Sequence, residues 1–222
     1  MISVGTIGLF ATLFYAGSNT AFIVALALTT VANTLFMLSA EPLIVALLAW
    51  LILKERIRPS TWLSIALAFV GVTVMIGGGI GTGRAVGSLV ALAGSLSFAA
   101  FTVTLRVRPM QDMLPVIVLA GIVVAVVSAA VTGGELAVGT TDLVLCAAMA
   151  VASAVGSVAF LAGARVLPAT QVLLLAMSEV VLGPLWVFLA YGERPAEATL
   201  FGGAIVLGAV VLQTLAGARP RA

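Results

Sequence analysis

From Ser60 to Thr82, and again from Leu114 to Gly134, the chain carries no formal charge. Uncharged apolar runs of this length read as helices that cross a hydrocarbon layer of about 30 Å. Composition points the same way: 63% of residues are hydrophobic and 8% charged, against roughly 25% charged in a soluble domain. Too few polar residues exist to coat a core of this size in water, so lipid is the solvent. This excludes an ordinary water-soluble enzyme.

The formal net charge is only +2, and the basic residues sit between apolar runs. That is the pattern of membrane loops, not of a nucleic-acid surface, and no nucleic-acid partner is expected. With one cysteine, Cys146, and no histidine, neither a disulfide framework nor a Cys/His metal site can be assembled, and no cofactor is expected. The opening MISVGTIGLF has no basic segment of the kind that begins a cleaved secretory signal.

Cutting at charged, Gly-rich or Pro-containing breaks gives about eight spans, making this an all-α polytopic membrane protein. The expected helices cover residues 7–28, 31–53, 60–76, 85–105, 113–131, 141–163, 169–191 and 199–215. The break between the first two is marked only by Thr29 and Thr30. With eight crossings, Lys54, Arg56, Arg58, Arg106, Arg108, Arg165, Arg219 and Arg221 fall on one face, and only Arg84 and Arg194 on the other. The positive-inside rule then places both termini in the cytoplasm. The run GGGIGTGR, Gly77 to Arg84, lacks the Lys-Ser/Thr ending of a phosphate loop and is expected to be a linker on the outer face.

An internal repeat is visible at an offset of 138 residues. It sets Glu41 on Glu179, Glu55 on Glu193 and Arg56 on Arg194. Acidic residues occupy only 8 of 222 positions, so charged residues in register weigh more than leucine matches do. The offset also pairs Ala21 and Phe22 with Ala159 and Phe160. Matching spans lie five crossings apart, and an odd separation threads the two copies through the membrane in opposite senses. Residues 1–79 hold three spans of the first copy, and residues 85–218 hold five of the second.

The runs LSAEPLIVALLAWLILKERIRPSTWLSIALAFVGV and LPATQVLLLAMSEVVLGPLWVFLAYGERPAEATLFGGAIVLGAV resemble the ends of the two domains of EamA-type transporters, of the drug/metabolite transporter superfamily. In both, a Glu-containing helix runs to a Lys-Glu or Gly-Glu turn before a Gly-rich final helix. The resemblance implies an inverted-repeat bundle of two five-helix halves, set in the bacterial inner membrane and exporting amino acids, other metabolites or toxic compounds. The first two helices of that plan have no counterpart here, which leads to the expectation of a late assigned start or truncated gene, with a naturally shorter transporter as the alternative. Without those helices one wall of the cavity is missing, so a homodimer or a partner chain is an expected partner, beside the bilayer and a small-molecule substrate.

Glu41 and Glu179 are the only ionisable residues deep inside spans. A carboxylate at mid-bilayer costs on the order of 2–3 kcal/mol, so it faces a cavity or a partner. Two roles stay open: binding a cationic substrate group or a coupled proton, and hydrogen bonding across helices. Pro42 and Pro184 lie beside them as expected kinks. Tyr15, Ser18, Asn19 and Phe22 form one stripe, mirrored at the repeat offset by Ser153, Gly156, Ser157 and Phe160, and Trp186 shares a helical face with Glu179. A mixed polar and aromatic stripe suits a cavity wall or helix packing. The function expected is secondary transport by alternating access, with a non-transporting scaffold or accessory subunit as the alternative. No catalytic constellation is apparent, and an enzyme is not expected.

Overall fold

The computed structural model describes residues 5–80, 83–107, 114–131, 139–166 and 169–217. The described residues form nine helices: α1 (Thr6–Leu28), α2 (Val31–Leu38), α3 (Glu41–Leu53), α4 (Pro59–Ile80), α5 (Ala85–Val107), α6 (Leu114–Val131), α7 (Thr140–Val166), α8 (Ala169–Tyr191) and α9 (Glu197–Gly217). Five apolar spans are long enough to cross a membrane, Val31–Leu53 counting as one, and three shorter apolar helices lie in α6, α7 and α8. The chain is a multi-span all-α membrane protein. It divides into two compact units, Met1–Val124 with Val180–Ala222, and Ala125–Glu179.

In the first unit α1 packs on α5, α4 on α9, and the α2–α3 span on α5, with α2 also touching α9. The core centres on α2. Its residues Ala32 to Met37 are all buried, joined by Ala25, Val72, Met75, Ala91, Val180 and Val206. A helix buried on nearly every side, with Asn33 and Thr34 its only polar side chains, is an interior element. The other helices bury one stripe and turn large side chains outward: Phe69 is 73% exposed and Phe201 69%. In water such a surface would drive aggregation, whereas in lipid it is the solvated face.

Glycines set the tightest crossings. A Cβ on Gly71 would lie 2.6 Å from the Gly202 carbonyl oxygen, so the backbones of α4 and α9 meet where neither carries a side chain. Gly94 similarly lets α5 approach Ala21 and Ser18 of α1. The Gly77–Arg84 run departs from the expected linker, because α4 continues through Gly77, Gly78 and Gly79 to Ile80. Gly79 abuts Arg84 and Ala85, and Gly78 abuts Ala198, so these glycines allow close approach of α4 to its neighbours.

The single span expected over 31–53 is kept, but its hydrogen-bond ladder is interrupted at Ser39 and Ala40, which hold right-handed helical angles. Pro42 has no N–H to offer the Leu38 carbonyl and its ring crowds that carbonyl. The chain instead turns through Ser39 and Ala40, with the Ser39 hydroxyl donating to the Phe36 carbonyl at 2.7 Å and Ala40 N–H to Met37 at 3.2 Å. Pro42 then sits in the first turn of α3, where its missing donor costs nothing. Pro184, by contrast, lies inside α8, which runs on through it.

Helix boundaries coincide at the 138-residue offset. α1 ends at Leu28 and α7 at Val166; α2 begins at Val31 and α8 at Ala169; α3 ends at Leu53 and α8 at Tyr191; α4 begins at Pro59 and α9 at Glu197. The residues after α3 and α8, Lys54 and Gly192, both take the left-handed conformation, with φ of 55° and 67°. That conformation closes a helix and favours glycine. Lys54 is the only described non-glycine residue with positive φ.

In the second unit, every α7 side chain that the structure describes is exposed. α8 begins in this unit and ends in the first.

Candidate functional site

The first unit has two unlike ends. At the end where α1 gives way to α2, polar side chains close the bundle. Thr30 caps α2, its hydroxyl accepting from Asn33 N–H at 3.2 Å. The buried Asn33 side chain donates to Ser88 of α5 at 2.7 Å and to Thr29 at 3.2 Å. Thr199 of α9 donates to the side-chain oxygen Oδ1 of Asn33 at 3.4 Å. Glu193, just beyond α8, accepts from Val31 N–H at 3.1 Å, satisfying a first-turn donor with a negative charge at the positive end of α2. One asparagine thus ties α2, α5 and α9 together, leaving a residual cavity of about 10 Å³ among Thr29, Asn33, Met75 and Thr199.

The opposite end is open. A cavity of about 300 Å³ is lined by Pro42, Val45 and Ala46 of α3, by Glu55 to Arg58 of the following loop, by Thr61 of α4, Arg106 of α5 and Gln213 of α9. α3 climbs roughly 1.5 Å per residue, so this vestibule reaches from the charged rim to the break at Pro42. Arg106 and Glu55 pair across the rim at 3.4 Å and are half exposed, which makes the pair worth no more than about 1 kcal/mol. Trp50 and Trp62 meet edge to face at 5.0 Å on either side of this loop, the position expected of interfacial anchors.

A larger cavity of about 400 Å³ lies on another face of α3, between it and α4. Its lining is apolar except for Thr73, whose hydroxyl is spent on the Phe69 carbonyl at 2.8 Å. Among the described residues it offers no free polar group to orient a solute.

Glu41 stands at the first position of α3, half-buried, beside Pro42. Its carboxylate therefore lies at the positive end of a half-helix inside the span. Glu179 is exposed and belongs to the other unit. The stripe on α1 is divided. Tyr15 meets Phe101 of α5 in a tilted ring contact at 5.0 Å, and Phe22 packs against the core around α2. Asn19 is exposed and turns its amide back to the Tyr15 carbonyl at 2.8 Å. For Tyr15 and Phe22 the contacts are those of helix packing. Trp186 is 66% exposed, and Gly183 on the same helix abuts Leu35 of α2. The side chain of Ser157 lies outside the described residues, as does that of Phe160.

The Asn33 network was not singled out from sequence. The available signal was Thr-Thr-Val-Ala-Asn-Thr, Thr29 to Thr34, a polar cluster within an otherwise apolar stretch, whose partners on α5 and α9 are remote in the chain.

Residues 2–77 match the family model described as "EamA-like transporter family". A solved structure titled "Crystal structure of protein" aligns with 95% of this chain and 76% of its own, at 19% identity and a TM-score of 0.50; at that identity the likeness is one of fold. No curated protein matches the chain.

Proposed function

We propose, from the EamA-like sequence over residues 2–77, that this chain is a secondary transporter working by alternating access. The observation that carries this reading is the unlike state of the two ends about a broken span. A vestibule of about 300 Å³ opens from the basic end to Pro42, while hydrogen bonds through Asn33 seal the other end. Discontinuous spans near mid-membrane are where secondary transporters hold their solutes. In this reading the basic rim faces the cytoplasm, as the positive-inside rule favours, and the open end is the inward one. Coincident helix boundaries and the matched left-handed residues Lys54 and Gly192 support two inverted copies, between which a central site is exposed in turn to either side.

In this reading Glu41 is the solute- or proton-binding group of the first copy and Glu179 its counterpart in the second. Small metabolites, amino acids and toxic compounds in the bacterial inner membrane are the substrates and setting we propose. The test is transport by the full chain in proteoliposomes, with an efflux screen supplying the solute. Glu41→Gln and Glu179→Gln should each alter the rate or its dependence on pH at unchanged insertion. If both variants transport as the parent does, these carboxylates have no part in the mechanism.

A further inference from the structure

We infer that the vestibule at the Lys54–Arg58 end is a binding site for a phosphate group with a hydroxyl beside it, of the kind carried by a phosphoglycerol lipid headgroup or by the free phosphate ion. Basic loop residues ordinarily spread into water or headgroups and set topology. Here Arg56, Arg58 and Arg106, all exposed, line one concave surface, with Glu55 the only acidic side chain in its wall among the described residues. Positive charge therefore exceeds negative in a cleft whose floor, Pro42, Val45 and Ala46, is apolar. Planar guanidinium groups grip phosphoryl or carboxylate oxygens in pairs.

Gln213 decides between those two anions. Its side-chain oxygen is buried with no hydrogen-bond partner among the described residues, and the residue forms part of the same wall. A buried acceptor left unsatisfied is costly, so the site calls for a donor. An ionised carboxylate brings acceptors only. A protonated phosphate or a phosphoglycerol group brings anionic oxygens for the arginines and an O–H for Gln213. The volume, about 300 Å³, lies at the small end of the range for ligand pockets.

This site needs the cavity alone and not the rocking of two halves, so it goes beyond the transport reading. The test is the melting temperature of the full chain in phosphatidylcholine nanodiscs titrated with inorganic phosphate or sulfate at neutral pH, and in nanodiscs containing phosphatidylglycerol. We expect stabilisation by at least one phosphate source, with phosphate several-fold more effective than sulfate, which has no hydroxyl at that pH. Stabilisation by phosphate in phosphatidylcholine alone assigns a soluble ligand; stabilisation by phosphatidylglycerol with phosphate ineffective assigns the lipid. The doubly substituted Arg56→Gln, Arg58→Gln chain should weaken the effect at least tenfold. Gln213→Met, which keeps every charge, should retain anion binding and lose the preference for phosphate over sulfate. No response to either source, stabilisation by phosphate and sulfate to the same extent, or full binding by the double variant overturns the proposal. Loss of transport with binding intact would strike the preceding section and leave this site standing.

Discussion

Replacing Asn33 by leucine removes the polar centre of the sealed end while keeping the branched side-chain skeleton. Asn33 makes two side-chain hydrogen bonds to other spans, one to Ser88 at 2.7 Å and one from Thr199 at 3.4 Å. Interhelical hydrogen bonds in membranes average about 0.6 kcal/mol and reach about 1.7, so two are worth about 1.2–3.4 kcal/mol. The Thr199 bond is long, which favours the lower part of that range. A loss near 1.4 kcal/mol shifts a two-state equilibrium tenfold. The assay uses a Cys146→Ser background with a Met75→Cys reporter, since Met75 is 1% exposed and borders the residual cavity at the sealed end. Labelling of that cysteine by a membrane-impermeant maleimide should quicken about tenfold with Asn33→Leu. An unchanged rate in a variant of normal expression and helix content would refute the idea that this network holds the end shut.

Gly202→Ala should lower stability in detergent by about 1–3 kcal/mol, because the new Cβ would lie 2.5 Å from the Gly71 carbonyl oxygen. Gly208→Ala, which meets nothing within 4 Å, should be neutral or stabilising by about 0.5–1 kcal/mol; equal losses in both would show that the α4–α9 crossing is not the cause. Lys54→Gly should raise the free energy of unfolding by about 1 kcal/mol, relieving the left-handed conformation at φ 55°; a loss of stability would mean that the lysine side chain outweighs its backbone strain. Pro42→Ala restores a donor to the break and should slow transport by straightening the span while leaving insertion intact; transport at the parental rate would separate the break from the mechanism.

The spans were legible because lipid imposes one rule, length without charge, that local composition records directly. Val31–Leu53 was readable as a span and Pro42 as a perturbation, yet whether a proline bends a helix or stops it depends on Ser39 and Ala40 turning inside a packed core. Pro184, equally visible in the sequence, left α8 continuous. The stripe from Tyr15 to Phe22 shows the limit of periodicity: spacing put these residues on one face of α1, but Phe101 and the α2 core decide what Tyr15 and Phe22 touch. Glu193 read as turn structure, and its contact with Val31, 162 residues away in the chain, could come only from the fold. The basic loop was legible as topology, whereas its concavity and the orphaned oxygen of Gln213 needed α3, α5 and α9 to be assembled together.

The reading of two oppositely threaded copies turns on where two equivalent arginines emerge. Arg56 lines the vestibule beyond the end of α3, whereas Arg194 follows Glu193, which caps the start of α2 at the far end of the same span. In oriented vesicles of the Cys146→Ser chain, an impermeant thiol reagent should reach Arg56→Cys from the cytoplasmic side only and Arg194→Cys from the outer side only. Labelling of both from one side would contradict inverted threading, and with it alternating access.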